Sequence, residues 1–474
     1  MIPTPFSFRP SVPDRPQAGH AASRALASRA LPLRALASRA LASRALASRI
    51  FAPLLLTVAA TAACGDRRPK GDGPYAELVA DAIPRIEREL GLTFKTAPVL
   101  QTRSREEVKA FVMQQLTSER AKAQIEGQQA AYRVLGLAPD TLDLGALLQR
   151  LLEEQIVGYY DPATKVLYVV DGAPKALLTQ TVTHELVHAL QDQYIRIDSI
   201  QALTDNADRQ GSAQAILEGQ AVFTQLLADP NAGPMLKMPG GWDRIRDMVR
   251  DGQGSMPVFA SAPRAVREGL LFPYLGGADF VRRFTEKRPI NELLTDLPVS
   301  TKQILNDNAY FTATPAERDV PRTITLPAPT VGTVLYTNTF GEFEARLVLV
   351  QHLKDEVLAR RAAGGMDGDQ YAVIRTVQGD AVVWATVWDT PVDAADFLDL
   401  MTDASRRRYE MARQAFPEGT TTRRLDIPAG KGRSARTVTL ALEQRDGQPV
   451  VLFMDTPAAS GGSLFDPTKI KIGR

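Results

Sequence analysis

Residues 184–188 read His-Glu-Leu-Val-His, a set whose types and spacing can do chemistry. Two histidines four apart lie on one face of a helix, one turn above the other, so their ring nitrogens can converge on one ion. Glu185 lies one step round from His184, within reach of a water on that ion. With one zinc ion, such a set can hydrolyse an amide, the carboxylate taking the water's proton as general base. The chain has only four histidines, which leaves little room for a chance pair. From Pro174 to Tyr194 the sequence reads PKALLTQTVTHELVHALQDQY, with Leu178, Val182, Leu186 and Leu190 at four-residue intervals. Val187 and Tyr194 add a second apolar edge, so a helix packed on several sides is expected. Burying His184, Glu185 and His188 there without partners is costly, and a metal with its water removes that cost. The competing arrangement is a pair of hydrogen-bonded core histidines beside a salt-bridged glutamate.

Catalytic zinc takes three protein ligands and keeps a fourth position for water. A metzincin continues the motif as HExxHxxGxxH; here Gln191 and Tyr194 occupy the glycine and histidine places, which excludes that class. The other histidines are His20, in a leader, and His352, far downstream. A carboxylate is therefore the expected third ligand. Residues 212–227 read as a helix capped by Ser212 or Asp208. Ile216, Leu217, Val222, Phe223, Leu226 and Leu227 surround Glu218 in that segment, and Gly219 lets another backbone come close. Glu218 is thus a candidate ligand, or else a structural carboxylate in a salt bridge.

These residues resemble the gluzincin metallopeptidases, which pair HExxH with a downstream helical glutamate often written E-G-x-A; this chain has Glu218-Gly219-Gln220-Ala221. HELVHALQDQY and LEGQA are also similar to a group of bacterial zinc peptidases, often lipoproteins. The likeness continues through REGLLFPYLGGADFV (267–281), STKQIL (300–305) and GDQYAV (368–373), so it covers most of the chain after about residue 150. It implies that His184, His188 and Glu218 hold one Zn2+ and that Glu185 is the catalytic base. Thermolysin-like members carry an aspartate four residues after the third ligand, where it orients a histidine. This chain has Val222 there, so support for His184 must come from elsewhere. Asp192, one turn past His188, either holds an imidazole from behind or is an ordinary solvated aspartate near a helix end.

A donor for the developing oxyanion is also needed. Tyr274, Tyr310, His352, Arg264 and Arg267 are candidates among which sequence does not choose. Upstream, IVGYYDPATKVLYVVDG predicts a hairpin, strands 156–160 and 165–170 around a turn with Pro162 in second place. The resemblance implies that the strand preceding the active helix lies at a sheet edge, where an extended peptide substrate can add.

Cys64 is the only cysteine, so no internal disulfide forms. Before it, residues 50–63 are a 14-residue apolar run after Arg44 and Arg49, too short to span a bilayer but suited to a signal peptide. Thr61-Ala62-Ala63-Cys64 resembles a bacterial lipobox, which implies lipidation of Cys64 and export to the cell envelope. Residues 64–74 are polar and Gly/Pro-rich, as a tether would be. Ahead stand five tandem pentads, ALASR or ALPLR, from Ala25 to Arg49. An arginine every fifth residue advances about 140° per step on a helix, so no stripe forms. Residues 1–63 hold eight arginines and one aspartate, or +7, so with a total of +2 the remainder carries −5. Nothing basic remains to suggest nucleic-acid binding.

The expected architecture is α+β. Residues 75–320 form a mainly helical, zincin-like domain with a small sheet: helices over 78–90, from a Ser104/Glu107 capping box, and over 118–136 and 143–154. Residues 325–474 form a second α+β domain, with helices 341–362 and 391–415 and strands 370–377, 381–389, 420–427, 435–444 and 448–455. Trp384 and Trp388 share one strand face and are expected in its core. The expected activity is zinc-dependent hydrolysis of a peptide or protein by a lipid-anchored envelope protein. The alternative is a catalytically silent protein of the same fold used for binding or assembly; retention of Glu185 speaks against it, since a binding module needs no base.

Overall fold

The computed structural model describes residues 75–473 apart from positions 174, 202, 204, 313, 431 and 461–463. The leader, the tether and Cys64 lie outside the described residues. No described helix is long and apolar enough to cross a membrane.

Helical periodicity governs residues 75–320. Ala76–Leu90 buries Ile83, Ile86 and Leu90 and closes on Gly91 in the left-handed region. Ser104 and Glu107 form the reciprocal capping box that starts Arg105–Leu116. Glu119–Leu135 and Leu144–Gln155 follow. Between them runs a three-stranded sheet of β1 (Val99–Arg103), β2 (Gly158–Asp161) and β3 (Val166–Val170), in the order β1-β3-β2. The hairpin β2–β3 is antiparallel, while β1 pairs with β3 in parallel. The strand just before the motif helix is therefore central, which corrects the expectation that it forms an edge; the hairpin's first arm, β2, is the edge strand. Short, polar β1 gave no alternating signal, and it is what covers the other side of β3.

Three long helices carry the site. Lys175–Gln191 is the motif helix, Ala207–Ala228 the glutamate helix and Arg264–Thr285 a helix crossing it. The glutamate helix starts earlier than expected, and its cap is Asn206, whose side chain accepts from the Arg209 amide. Neither Ser212 nor Asp208 caps it: Ser212 is buried mid-helix, and Asp208 accepts from the Thr301 amide and hydroxyl. The crossing is tight because glycines meet there. A Cβ on Gly219 would lie 2.1 Å from the Gly277 carbonyl carbon, and one on Gly277 would lie 1.9 Å from the Ala215 oxygen.

The chain then builds a six-stranded antiparallel sheet. Besides a small ribbon of β4 (Thr323–Thr325) with β11 (Lys471–Gly473), it contains β5 (Thr333–Asn338), β6 (Met366–Thr376), β7 (Gly379–Trp388), β8 (Thr422–Ile427), β9 (Arg436–Arg445) and β10 (Gln448–Pro457). Their order is β5-β6-β7-β10-β9-β8. Residues 341–362 form two helices, Gly341–Leu353 and Glu356–Ala363, because Lys354 turns left-handed (φ 59°) and Asp355 caps the second. Pro391–Arg408 packs on the same face. Trp384 and Trp388 are fully buried there, as their spacing predicts. Alternate residues Ala381, Val383, Ala385 and Val387 face a second core under Phe465 and Ile470. The main core is continuous from Val79 in the first helix to Phe453 in β10.

Candidate metal centre

Leu178, Val182, Leu186 and Leu190 bury one side of the motif helix, fixing its rotation. That rotation presents His184 and His188 toward Glu218 on the neighbouring helix. The two Nε2 atoms lie 3.1 Å apart; Glu218 Oε2 lies 3.1 Å from His184 Nε2 and 3.3 Å from His188 Nε2. Donors about 2.0–2.1 Å from a tetrahedral zinc ion stand about 3.3–3.4 Å from one another. The triangle therefore fits such a cation with a few tenths of an ångström of expansion. His184 and Glu185 are almost wholly enclosed and Glu218 is buried.

Gln191 settles the chemistry of His188. Its amide nitrogen donates to Leu217 O at 3.0 Å and to Gln220 Oε1 at 2.9 Å, and Gln220 in turn donates to Ile290 O. With both amide protons engaged, Gln191 Oε1 is left facing His188 Nδ1 at 2.8 Å, so Nδ1 carries the hydrogen. In the neutral ring, Nε2 is then a bare lone pair aimed into the triangle. Either a proton or a metal ion can take it. Burial pushes the His188 pKa down, but Glu218 outweighs burial and raises it to about 9. Burial pushes Glu218 up, yet His188 and His184 hold it down to about 2.

Asp192 does not support an imidazole, which corrects one of the two readings of it: it accepts from the Tyr160 hydroxyl at 2.8 Å and pairs with Lys165. Gln191 has the supporting place instead, a residue that had stood out only as the break in the longer histidine motif. His184 is less well held. Its Nδ1 is buried with no hydrogen-bond partner among the described residues, as the Val222 departure foreshadows. Tyr274, on the crossing helix, hydrogen-bonds Glu218, and its ring lies 6.2 Å from that of His184. Burial and the charges of Glu218 and Glu185 push its pKa well up. The Gly219–Gly277 contact is what brings the tyrosine this close.

The other oxyanion candidates are placed elsewhere. Tyr310 donates to Asp296 O, His352 Nε2 donates to Leu135 O, Arg264 pairs with Glu356, and Arg267 donates to Ala260 O. Burial lowers the His352 pKa to about 4, so that ring is a neutral core donor.

Glu185 Oε2 accepts the Tyr160 amide of β2 at 2.8 Å. The open edge of β2 thus faces the motif helix. Glu185, His188 and Glu218 line one cavity of about 440 Å3, together with Tyr159 and Tyr160 of β2 and residues of the C-terminal sheet. Its size is in the range of small-ligand and peptide side-chain sites. The arrangement can hold one divalent cation and can present a carboxylate to a group beside it.

Residues 330–461 match a family described as a domain of unknown function (DUF8575). No curated protein and no solved structure matches the chain.

Proposed function

We propose that the protein is a zinc-dependent peptidase of the gluzincin kind, with a zincin-like helical region, acting on a peptide or protein substrate. One observation carries this reading: His184, His188 and Glu218 converge at 3.1–3.3 Å beside a buried Glu185 that lines the same cavity. Gln191 would keep the His188 lone pair available, and Tyr274 would fix the Glu218 carboxylate. The zinc ion, when bound, supplies an acidified water and polarises the scissile carbonyl. Glu185 Oε accepts the proton and passes it to the leaving amine, while the Tyr160 amide holds the carboxylate in line. The β2 edge beside Glu185 suits an extended substrate. Anchoring at the envelope through Cys64 belongs to the same proposal and rests on residues 50–64 alone.

The test is metal analysis of the purified protein together with peptide-library cleavage by wild type and Glu185→Gln. One zinc per chain in both, with cleavage by wild type only, is expected. Zinc without cleavage in either would point to the silent, binding-only reading, and absence of zinc would remove both.

A further inference from the structure

The cavity that begins at the metal triangle also reaches the C-terminal region, where it is lined by Glu344, Tyr336 and Tyr371, with Tyr132 facing them. Glu344 lies on the helix Gly341–Leu353 and is unusual among the carboxylates around it. Asp208 is held by the Thr301 amide and hydroxyl. Asp369 accepts from the Phe340 and Gly341 amides and from Trp384 Nε1. Glu342 pairs with Arg346. Among the described residues Glu344 receives one hydrogen bond, from the Tyr132 hydroxyl to Oε1 at 3.2 Å. Gln128 donates to that hydroxyl at 3.1 Å, which directs the tyrosine's proton to Glu344. Among the described residues no lysine or arginine forms an ion pair with it. Burial, reinforced by Asp369 and Asp208, pushes its pKa up to about 7. A half-buried carboxylate that opens onto a cavity, with no cation beside it among the described residues, is a place where a positively charged group is favoured.

Its surroundings suit a cation. The Tyr336 ring packs against Gly127, where a Cβ would lie 2.2 Å from that ring, and Asn338 donates to its hydroxyl. Tyr371 stacks on Phe340 at 3.8 Å and lies 6.1 Å from Tyr336. Aromatic faces beside a carboxylate favour an ammonium or guanidinium group over a neutral one.

We propose that Glu344, with Tyr132, Tyr336 and Tyr371, forms a subsite that receives a cationic nitrogen of the substrate, either a lysine or arginine side chain or a free terminal ammonium. The inference rests on the proposed peptidase activity and gives the C-terminal region its part in it: selecting substrates for the centre on the helical region. Glu344→Gln keeps the shape and the bond from Tyr132 while removing the charge.

The experiment uses the full, zinc-loaded chain and four matched peptide sets: acetylated with one lysine, acetylated with one arginine, acetylated with norleucine in that place, and the norleucine set with a free amino terminus. Wild type is expected to cleave at least one cationic set with a kcat/KM about 10- to 100-fold above the acetylated norleucine set, and Glu344→Gln to erase that ratio. Which set is preferred identifies the side chain or the terminus as the source. Cleavage by wild type without a cationic preference, or a preference that survives Glu344→Gln, overturns the inference and leaves the peptidase reading intact. Should wild type cleave none of the sets, the peptidase reading falls, and binding of the same peptides by calorimetry decides the subsite. Binding lost in Glu344→Gln upholds it; equal or absent binding overturns it.

Discussion

Among the described residues two places gather three metal-ligating side chains: His184, His188 and Glu218 on the helical side, and Asp319, Asp367 and Asp389 where the helices meet the C-terminal sheet. Their outcomes differ because basic side chains enter one of them and not the other. In the aspartate cluster Lys302 Nζ lies 2.7 Å from Asp389 and also pairs with Asp319, while Arg322 pairs with Asp367 at 2.8 Å. Burial alone would lower the Lys302 pKa, but the two aspartates outweigh it and raise it. That cluster supplies its own cation and serves as a clamp between regions. Among the described residues no lysine or arginine enters the triangle, and the positive charge facing Glu218 there is a proton on an imidazole. A ligand set is thus free for a metal when the fold withholds a permanent charge from it.

The contrast can be broken in several ways. The largest effect is expected at Glu185, where Glu185→Gln should lower kcat about 10²- to 10⁴-fold while one zinc per chain is retained. His188→Ala should lose metal and turnover together, and atomic absorption with a cleavage assay separates the two variants. Next comes Lys302→Ala, which takes away the ammonium shared by Asp319 and Asp389 and leaves Arg322 on Asp367. A loss of roughly 3 kcal/mol in unfolding free energy is expected, at the lower end for buried pairs because Asp389 is partly exposed. Millimolar calcium should restore part of the melting temperature in that variant and not in wild type, since three carboxylates suit a hard cation. No rescue by calcium would mean that the difference between the clusters is not the lysine.

A smaller change is expected from Gln191→Leu, which removes the acceptor that holds the His188 Nδ1 hydrogen. Zinc affinity should fall about 10- to 100-fold, read by competition with a chelator. An unchanged affinity would show that the amide relay to Ile290 is only packing. The smallest signal concerns protons. In the metal-free protein the His188 pKa is raised to about 9, so its share of stability is whole below about 6.5 and is lost as pH climbs to about 9. Glu218 is lowered to about 2, so its share is whole above the ordinary glutamate value and is lost as pH falls toward 2. The pair therefore stabilises the metal-free fold most between about pH 4.5 and 6.5. Zinc binding near pH 8 should release about one proton, measurable by calorimetry in buffers of different ionisation enthalpy.

Much of the scaffold was legible before any coordinates. The apolar spacing around Leu178, Val182, Leu186 and Leu190 predicted the motif helix and its burial; the Ser104–Glu107 box predicted a helix start; the strands expected at 435–444 and 448–455 form the hairpin of β9 and β10. The misses have local causes. β5, five of its six residues only partly buried or exposed, carries a weak pattern and becomes a strand by pairing with β6. Asn206 outcompetes Ser212 as a cap because Asp208 and Ser212 find partners across the interface, at Thr301 and Pro298. Asp192 was drawn to the imidazoles by its position on the helix, yet the hairpin offers it a phenol and an ammonium.

What the chain determined by itself is set by short-range geometry: two imidazoles on one helical face, a carboxylate one step away, and a second helix with a glutamate ahead of a glycine. Those relations survive any packing because the helix repeat fixes them. Tertiary structure decided which charged groups meet across long separations. It put Glu218 against the imidazoles, set Gln191 behind one of them, filled the aspartate cluster with Lys302 and left Glu344 without a cation in a shared cavity. An ionisable group's behaviour depends on its neighbours' charge and on the water it has lost, and neither is a property of its own stretch of sequence.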